Sequence, residues 1–201
     1  MKKIYSHKDF IKLKWSEFQR ASEHVVQVLS EYCTTNKLKV NFLVPILRGG
    51  APLAILISHS MNIVPFFPCQ YKYLYDHQEQ SYVTKEYFST IEEIEEKETK
   101  YILLVTEGNH VRGETAQKCI DKIKSVLPNS VILYASVGRD YAHQAPLNNT
   151  VFEAWGFLTN ETESLSFDEC KKLKVKEKFV VYPWENVEEE LMEVNASLRL
   201  Y

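Results

Sequence analysis

A strand, a glycine turn and a helix follow one another twice in this chain, and that repeated order leaves few architectures open. In the first copy, Val40-Asn41-Phe42-Leu43-Val44-Pro45-Ile46 is β-rich and mostly apolar. It ends in Leu47-Arg48-Gly49-Gly50, and residues 51–61 read as a helix. In the second, Tyr101-Ile102-Leu103-Leu104-Val105 is a continuous apolar run of the kind covered on both faces of a parallel sheet. Residues 106–114 then read as a polar loop carrying Gly108 and Gly113, and residues 115–127 as a helix ending before Pro128. Val131-Ile132-Leu133-Tyr134-Ala135 is a further buried strand. Strands alternating with helices predict a parallel, right-handed α/β sheet, Rossmann-like, with helices on both faces and a ligand crevice at the C-terminal strand ends.

The rest of the chain fits around that core. Residues 15–32 place apolar side chains at helical spacing and predict an amphipathic helix. Residues 64–75 read as an extended strand or hairpin arm. Residues 76–100 are polar, with the acidic run Glu92-Glu93-Ile94-Glu95-Glu96, and are expected to be a mobile loop. Phe179-Val180-Val181-Tyr182 reads as a last strand, and Pro183-Trp184-Glu185 leads into a helix through Glu193. With 201 residues, 45% of them hydrophobic, the chain is expected to be one domain over residues 1–201 with a full core.

Several function classes drop out. A formal net charge of -3 lacks the broad basic footprint of non-specific nucleic-acid binding, so no nucleic-acid partner is expected. Cys33, Cys69, Cys119 and Cys170 form no C-x-x-C pair, and four buried free thiols in a reducing cytosol are the simpler reading. The first nine residues lack the apolar core of a secretory signal, and Arg48-Gly49-Gly50 interrupts the longest apolar stretch. A cytoplasmic chain without a membrane partner is the expectation.

Four of the six glycines fall in the two turns. A turn between a strand end and a helix start presents backbone N–H groups at the positive end of the helix, which favours an anion. Two such turns point to two phosphate groups. Tight glycine turns also occur in α/β proteins that bind nothing there.

Val44-Pro45-Ile46-Leu47-Arg48-Gly49-Gly50 resembles the pyrophosphate-binding loop of type I phosphoribosyltransferases, in particular the purine-salvage, xanthine-guanine or hypoxanthine branch. Tyr75-Asp76-His77 and the polar segment after it resemble that branch's flexible hood loop. Residues 101–116 are similar in position and pattern to the signature that binds phosphoribosyl diphosphate (PRPP). Phe179-Val180-Val181-Tyr182-Pro183-Trp184-Glu185 is similar to the closing strand and Pro-Trp segment. The resemblance implies a phosphoribosyltransferase-type core with a small hood from the N- and C-terminal segments, and transfer of 5-phosphoribose from PRPP to a purine-like nucleobase with release of pyrophosphate. By the same resemblance, Leu47, Arg48, Gly49 and Gly50 bind pyrophosphate, with a cis peptide at Leu47-Arg48. Val111, Arg112, Gly113, Glu114 and Thr115 hold the ribose 5-phosphate. Ser136, Phe179 and Val180 meet the base. Glu107 and His110 are the catalytic candidates, Glu107 also meets a magnesium ion (Mg2+), and a homodimer or higher homo-oligomer is expected by analogy.

The second turn departs from the family pattern of two adjacent acids, two apolar residues, an acid, Thr, Gly, any residue and Thr. Here the run is Thr106-Glu107-Gly108-Asn109-His110-Val111-Arg112-Gly113-Glu114-Thr115. Anchored on Gly113, the acid pair falls on Glu107 and Gly108; anchored on the strand, it falls on Thr106 and Glu107. Either alignment leaves one carboxylate where two are expected, and one lost charged acceptor costs about 1.5–3 kcal/mol of binding. Ser136 stands where the family has a base-contacting lysine, Arg139 is a candidate to reach in, and His110 is a candidate proton relay. Phe179 reads more simply as a strand-core aromatic, and Arg112 and Glu114 read equally as a surface ion pair. A second function stays open beside transfer: a degenerate module that keeps the fold and binds PRPP or a nucleotide for regulation.

Overall fold

The computed structural model describes residues 4–63, 65–76, 81–95 and 99–199. Its strands and helices, in chain order, are β1 (Phe10–Lys12), α1 (Trp15–Thr35), β2 (Phe42–Leu47), α2 (Gly50–Met61), β3 (Cys69–Asp76) and β4 (Ser81–Ser89). They continue with β5 (Ile102–His110), α3 (Glu114–Val126), β6 (Val131–Asp140), β7 (Thr150–Thr159), α4 (Phe167–Leu173), β8 (Phe179–Val181) and α5 (Val187–Arg199). Six strands form one sheet in the order β4-β3-β2-β5-β6-β7. All neighbours are parallel except β3 and β4, which form an antiparallel hairpin at one edge. β1 and β8 make a separate two-stranded parallel sheet that brings an N-terminal segment against a C-terminal one.

Side-chain spacing explains which face each helix covers. In α1, Phe18, Ala21, Val25, Leu29 and Cys33 recur every three or four residues, and all are buried. They pack with Leu53 and Ile57 of α2 against Leu43, Leu104, Leu133, Ala135 and Ala154 of the sheet. On the opposite face, Ala116, Cys119, Ile120 and Ile123 of α3 cover Val44, Leu103, Val105, Ile132 and Tyr134. A strand such as Leu103-Leu104-Val105 therefore sends alternate side chains into two cores, so its sequence is apolar throughout. Each fully buried Leu, Ile or Val contributes about 1.5–3 kcal/mol.

Three expectations need correction. Ser81–Ser89 is a strand, although residues 76–100 read as a mobile loop. Its Tyr, Val, Thr and Phe are strand formers, and pairing with β3 satisfies its backbone. His77 and Glu96 lie outside the described residues. β7 forms over residues 150–159, where no element was expected, although Val151, Phe152, Trp155 and Phe157 are strand formers. The polar loop expected at residues 106–114 is also mostly strand, since β5 continues to His110. All four cysteines are free thiols and buried, as expected. Among the described residues no helix is long and apolar enough to cross a membrane.

Candidate functional site

The first glycine turn meets β5. β2 ends at Leu47, the Leu47-Arg48 peptide is cis, and α2 begins at Gly50. A Cβ placed on Gly108 would lie 3.1 Å from both the Cα and the carbonyl oxygen of Gly49. Across the same crossing, a Cβ on Gly50 would lie 2.1 Å from the Thr106 carbonyl oxygen, and Thr106 Oγ1 donates to the Gly50 carbonyl at 3.0 Å. Backbone presses on backbone here, which only residues without side chains permit. Arg48 projects from this crossing into solvent.

The second turn is shorter than the sequence implies. It comprises Val111, Arg112 and Gly113, and α3 begins at Glu114 with Thr115 in its first turn. Gly113 holds φ at +79°, a conformation that glycine adopts freely. Arg112 and Glu114 are exposed but do not pair with each other, and neither Arg48 nor Arg112 belongs to an ion pair among the described residues.

β5 stays a strand because its polar residues find partners inside the protein. β6 runs to Asp140 alongside it, with Glu107 opposite Ser136, Asn109 opposite Gly138 and His110 opposite Arg139. Tyr134 Oη donates to Glu107 Oε2 at 2.5 Å and lies 3.0 Å from His110 Nδ1. Since the single hydroxyl proton of Tyr134 goes to the carboxylate, Nδ1 of His110 carries a proton and donates to the hydroxyl oxygen. Burial lowers the His110 pKa to about 3, with the Arg139 and His143 charges acting in the same direction. His110 is thus a neutral imidazole at pH 7, because the buried ring lacks the water that would stabilise its charged form. Burial instead pushes Glu107 up to about 7, only partly offset by the Tyr134 hydrogen bond and the Arg139 charge. Glu107, rather than His110, titrates near neutrality.

Arg139 does not reach the crevice either. Its fully buried side chain is paired with Glu153, donates from Nε to the His143 carbonyl and from Nη2 to the Ala145 carbonyl, and lies 4.7 Å over the Trp155 ring. Ser136 is buried, and its hydroxyl has no hydrogen-bond partner.

The remaining base candidates are separated. The Phe179 ring stacks on Phe10 at 5.3 Å and meets Tyr5 edge-on at 4.9 Å, as a packing aromatic does. It lines a cavity of about 410 Å³ with Asn160, Leu165 and Phe167, and no residue of either glycine turn lines that cavity. Val180 faces the other way: its N–H donates at 3.0 Å to Glu161 Oε1, the same oxygen that accepts from Asn109 Nδ2 at 2.7 Å. One carboxylate therefore ties the end of β5 to β8. Tyr182 adds a second tie, donating to the Gly108 carbonyl at 2.7 Å. Sequence reasoning missed Glu161 and Tyr134, because neither falls in a motif; they come to the site only through the length of β5, β6 and β7.

A magnesium ion held by the chain needs several converging oxygens. Of the two positions open to the second acid, Thr106 is committed to Gly50 and Gly108 has no side chain, while Glu107 already accepts from Tyr134. No group of three His, Cys, Asp or Glu side chains converges among the described residues. The residues here do not fit a resident magnesium ion.

No family model matches the chain, and no curated protein matches it in sequence. Solved structures do match it in shape. A purine phosphoribosyltransferase from Pyrococcus horikoshii Ot3 is 17% identical, with 89% of this chain and 95% of that one covered and a TM-score of 0.62. A hypothetical protein from Neisseria gonorrhoeae with bound ppGpp is 14% identical, with 94% and 97% covered and a TM-score of 0.64. The Helicobacter pylori xanthine-guanine-hypoxanthine phosphoribosyltransferase is 12% identical, with 92% and 99% covered and a TM-score of 0.59. At such identities the likeness is one of architecture: the chain has the α/β fold of the phosphoribosyltransferases, with a mostly parallel sheet between helices.

Proposed function

We propose that this chain transfers 5-phosphoribose from PRPP to a purine-like nucleobase and releases pyrophosphate. The observation that carries the reading is the backbone contact between Gly49 and Gly108, which sets the first turn against the strand that leads into the second. A sugar phosphorylated at both ends would be held with its diphosphate at Leu47, Arg48, Gly49 and Gly50. Its 5-phosphate would rest on the N–H groups of Val111 to Thr115 at the start of α3. Arg48 and Arg112, exposed and unpaired, supply charge-assisted donors. Glu107 keeps one oxygen on Tyr134 and offers the other to a ribose hydroxyl. In the transfer, the C1–O bond to the diphosphate breaks with its electron pair leaving on pyrophosphate, while a ring nitrogen's lone pair closes on C1 and the base's N–H proton passes to water. The chain's share is positioning and electrostatics. Magnesium belongs to this reading as the counter-ion of the diphosphate substrate, not as a group held by the protein. The full chain, mixed with magnesium, PRPP and a panel of bases, is expected to release pyrophosphate; silence across the panel at high enzyme concentration rejects transfer.

A second reading has its own support. The site offers a single carboxylate that burial holds near neutrality, and the Val180 N–H is already taken by Glu161. A regulatory module that binds PRPP or a nucleotide without turnover fits those features, and the Neisseria gonorrhoeae structure of the same fold carries ppGpp. Calorimetry with PRPP, nucleoside monophosphates and pyrophosphate separates the two, since binding without pyrophosphate release selects the module.

A further inference from the structure

Two of the four buried thiols touch. Cys69 opens β3, where it stands opposite Ile46 of β2 and Ser89 of β4, and Cys119 lies on the buried stripe of α3. Their Sγ atoms are 3.4 Å apart, and both residues are fully buried. Cys69 Sγ also donates to the Pro45 carbonyl at 3.8 Å. With the Cys69 proton on that carbonyl, the contact between the sulfurs is made by the Cys119 S–H, which points at a lone pair of Cys69. The bond to Cys69 and burial both raise the Cys119 pKa, so Cys119 is a thiol at neutral pH. The other two cysteines lie elsewhere: Cys33 in the core on the opposite face of the sheet, Cys170 in α4.

A disulfide holds its sulfurs about 2.05 Å apart, so this pair has about 1.4 Å to close from 3.4 Å. We propose that Cys69 and Cys119 form a disulfide site in the folded protein, closed by a peroxide and reopened by a thiol reductant. The peroxide oxidises one thiol to a sulfenic acid: the S–O bond forms, the O–O bond breaks and water leaves. The second thiol's sulfur then attacks the sulfenic sulfur. The S–S bond forms, and the hydroxyl leaves with the thiol proton as a second water. Two thiols and one hydrogen peroxide thus give one disulfide and two waters. Burial slows the first step, because the oxidant reaches a sulfur only when the structure opens locally. Contact decides the outcome, because the partner thiol already stands beside the sulfenic acid before a second peroxide arrives. The bridge fastens the β3–β4 hairpin to the helix that follows the second turn, across 50 positions of sequence. A cross-link over such a loop restricts the unfolded chain and so favours the folded one. The site stands on its own geometry, whatever ligand the glycine turns hold.

The test treats the folded full chain with hydrogen peroxide, overnight and in slight excess. It then counts thiols after denaturation and maps the peptides by mass spectrometry. The count is expected to fall from four to two, with one linked pair of peptides holding Cys69 and Cys119, and dithiothreitol is expected to restore all four. The oxidised protein is expected to unfold at a higher urea concentration than the reduced one. The same oxidation in urea is expected to give mixed pairings, since Cys33 is nearer to Cys69 along the chain than Cys119 is. Cys119→Ser is expected to abolish the link and leave Cys69 to go on to a sulfinic acid. Four free thiols after the treatment overturn the proposal. So do sulfinic acids on Cys69 or Cys119 in place of a link, or mixed pairings from the folded chain. The wild-type peptide map decides even where the variant does not fold.

Discussion

Replacing Glu107 by Gln changes one property of the site, its need to ionise, and leaves the side chain's shape and its acceptor for the Tyr134 hydroxyl in place. Burial raises the wild-type carboxyl from 4.5 to about 7. A carboxyl raised on folding makes the folded state the better proton binder, so its contribution is complete below pH 4.5 and is lost as the pH climbs through about 7. At about 1.4 kcal/mol per pKa unit, the loss reaches an upper value of about 3.5 kcal/mol, or about 2–3 kcal/mol once the partial exposure of Glu107 to water is allowed for. The amide escapes this loss. Glu107→Gln is expected to match the wild type at pH 4.5 or just below and to exceed it by about 2–3 kcal/mol at pH 8.5, a gain of roughly 5–10 °C in melting temperature. Thermal and urea unfolding at the two pH values, followed by tryptophan fluorescence, read the difference directly. Glu161 titrates in the same window and keeps its own share of the decline, so the variant's stability still falls with pH, only less steeply. Parallel wild-type and variant curves, offset equally at both pH values, would refute the buried-carboxylate account.

Arg48→Ala removes a charge-assisted donor and is expected to weaken pyrophosphate binding about ten- to a hundredfold in calorimetry; unchanged affinity counts against its role. Gly108→Ala sets a methyl group 3.1 Å from the Gly49 backbone, so the first turn and β5 must part. A loss of about 1–3 kcal/mol in urea unfolding is expected, with weakened PRPP binding alongside. Glu153→Ala leaves the fully buried Arg139 without its carboxylate partner and strips the acceptor from the Leu147 N–H, and should cost about 3–5 kcal/mol by the same measurement.

The elements legible in the sequence are those whose side chains answer to one partner. Helix α1 shows its buried stripe in plain spacing, and the apolar runs of β2, β5 and β6 announce a sheet covered on both faces, because burial alone decides those residues. The glycine turns were legible for a related reason: a close approach of backbones excludes every side chain, whichever fold surrounds it. β3 lies where an extended strand or hairpin arm was expected, but the two edge strands, β4 and β7, were not legible. An edge strand is half in water, so its polar residues carry the same signal as a loop.

The extension of β5 through Glu107 and His110 shows why the chemistry was harder to read than the fold. A polar residue in a strand and a polar residue in a loop look alike until the partner is known, and here the partners lie far off in sequence: Tyr134 for Glu107 and His110, Glu161 for Asn109, Tyr182 for the Gly108 carbonyl. Each such bond satisfies a group that burial would otherwise penalise by about 1–3 kcal/mol, so the strand persists where hydropathy alone ends it. The same bonds redistribute charge. Arg139, the buried cation among the described residues, is paired with Glu153 and offsets the effect of burial on Glu107 only in part, while burial raises Glu161 as well. Both respond by holding their protons near pH 7. A second carboxylate thus does reach the end of β5, but it arrives from the loop after β7, and its Oε1 is held there by the Asn109 side chain and the Val180 N–H.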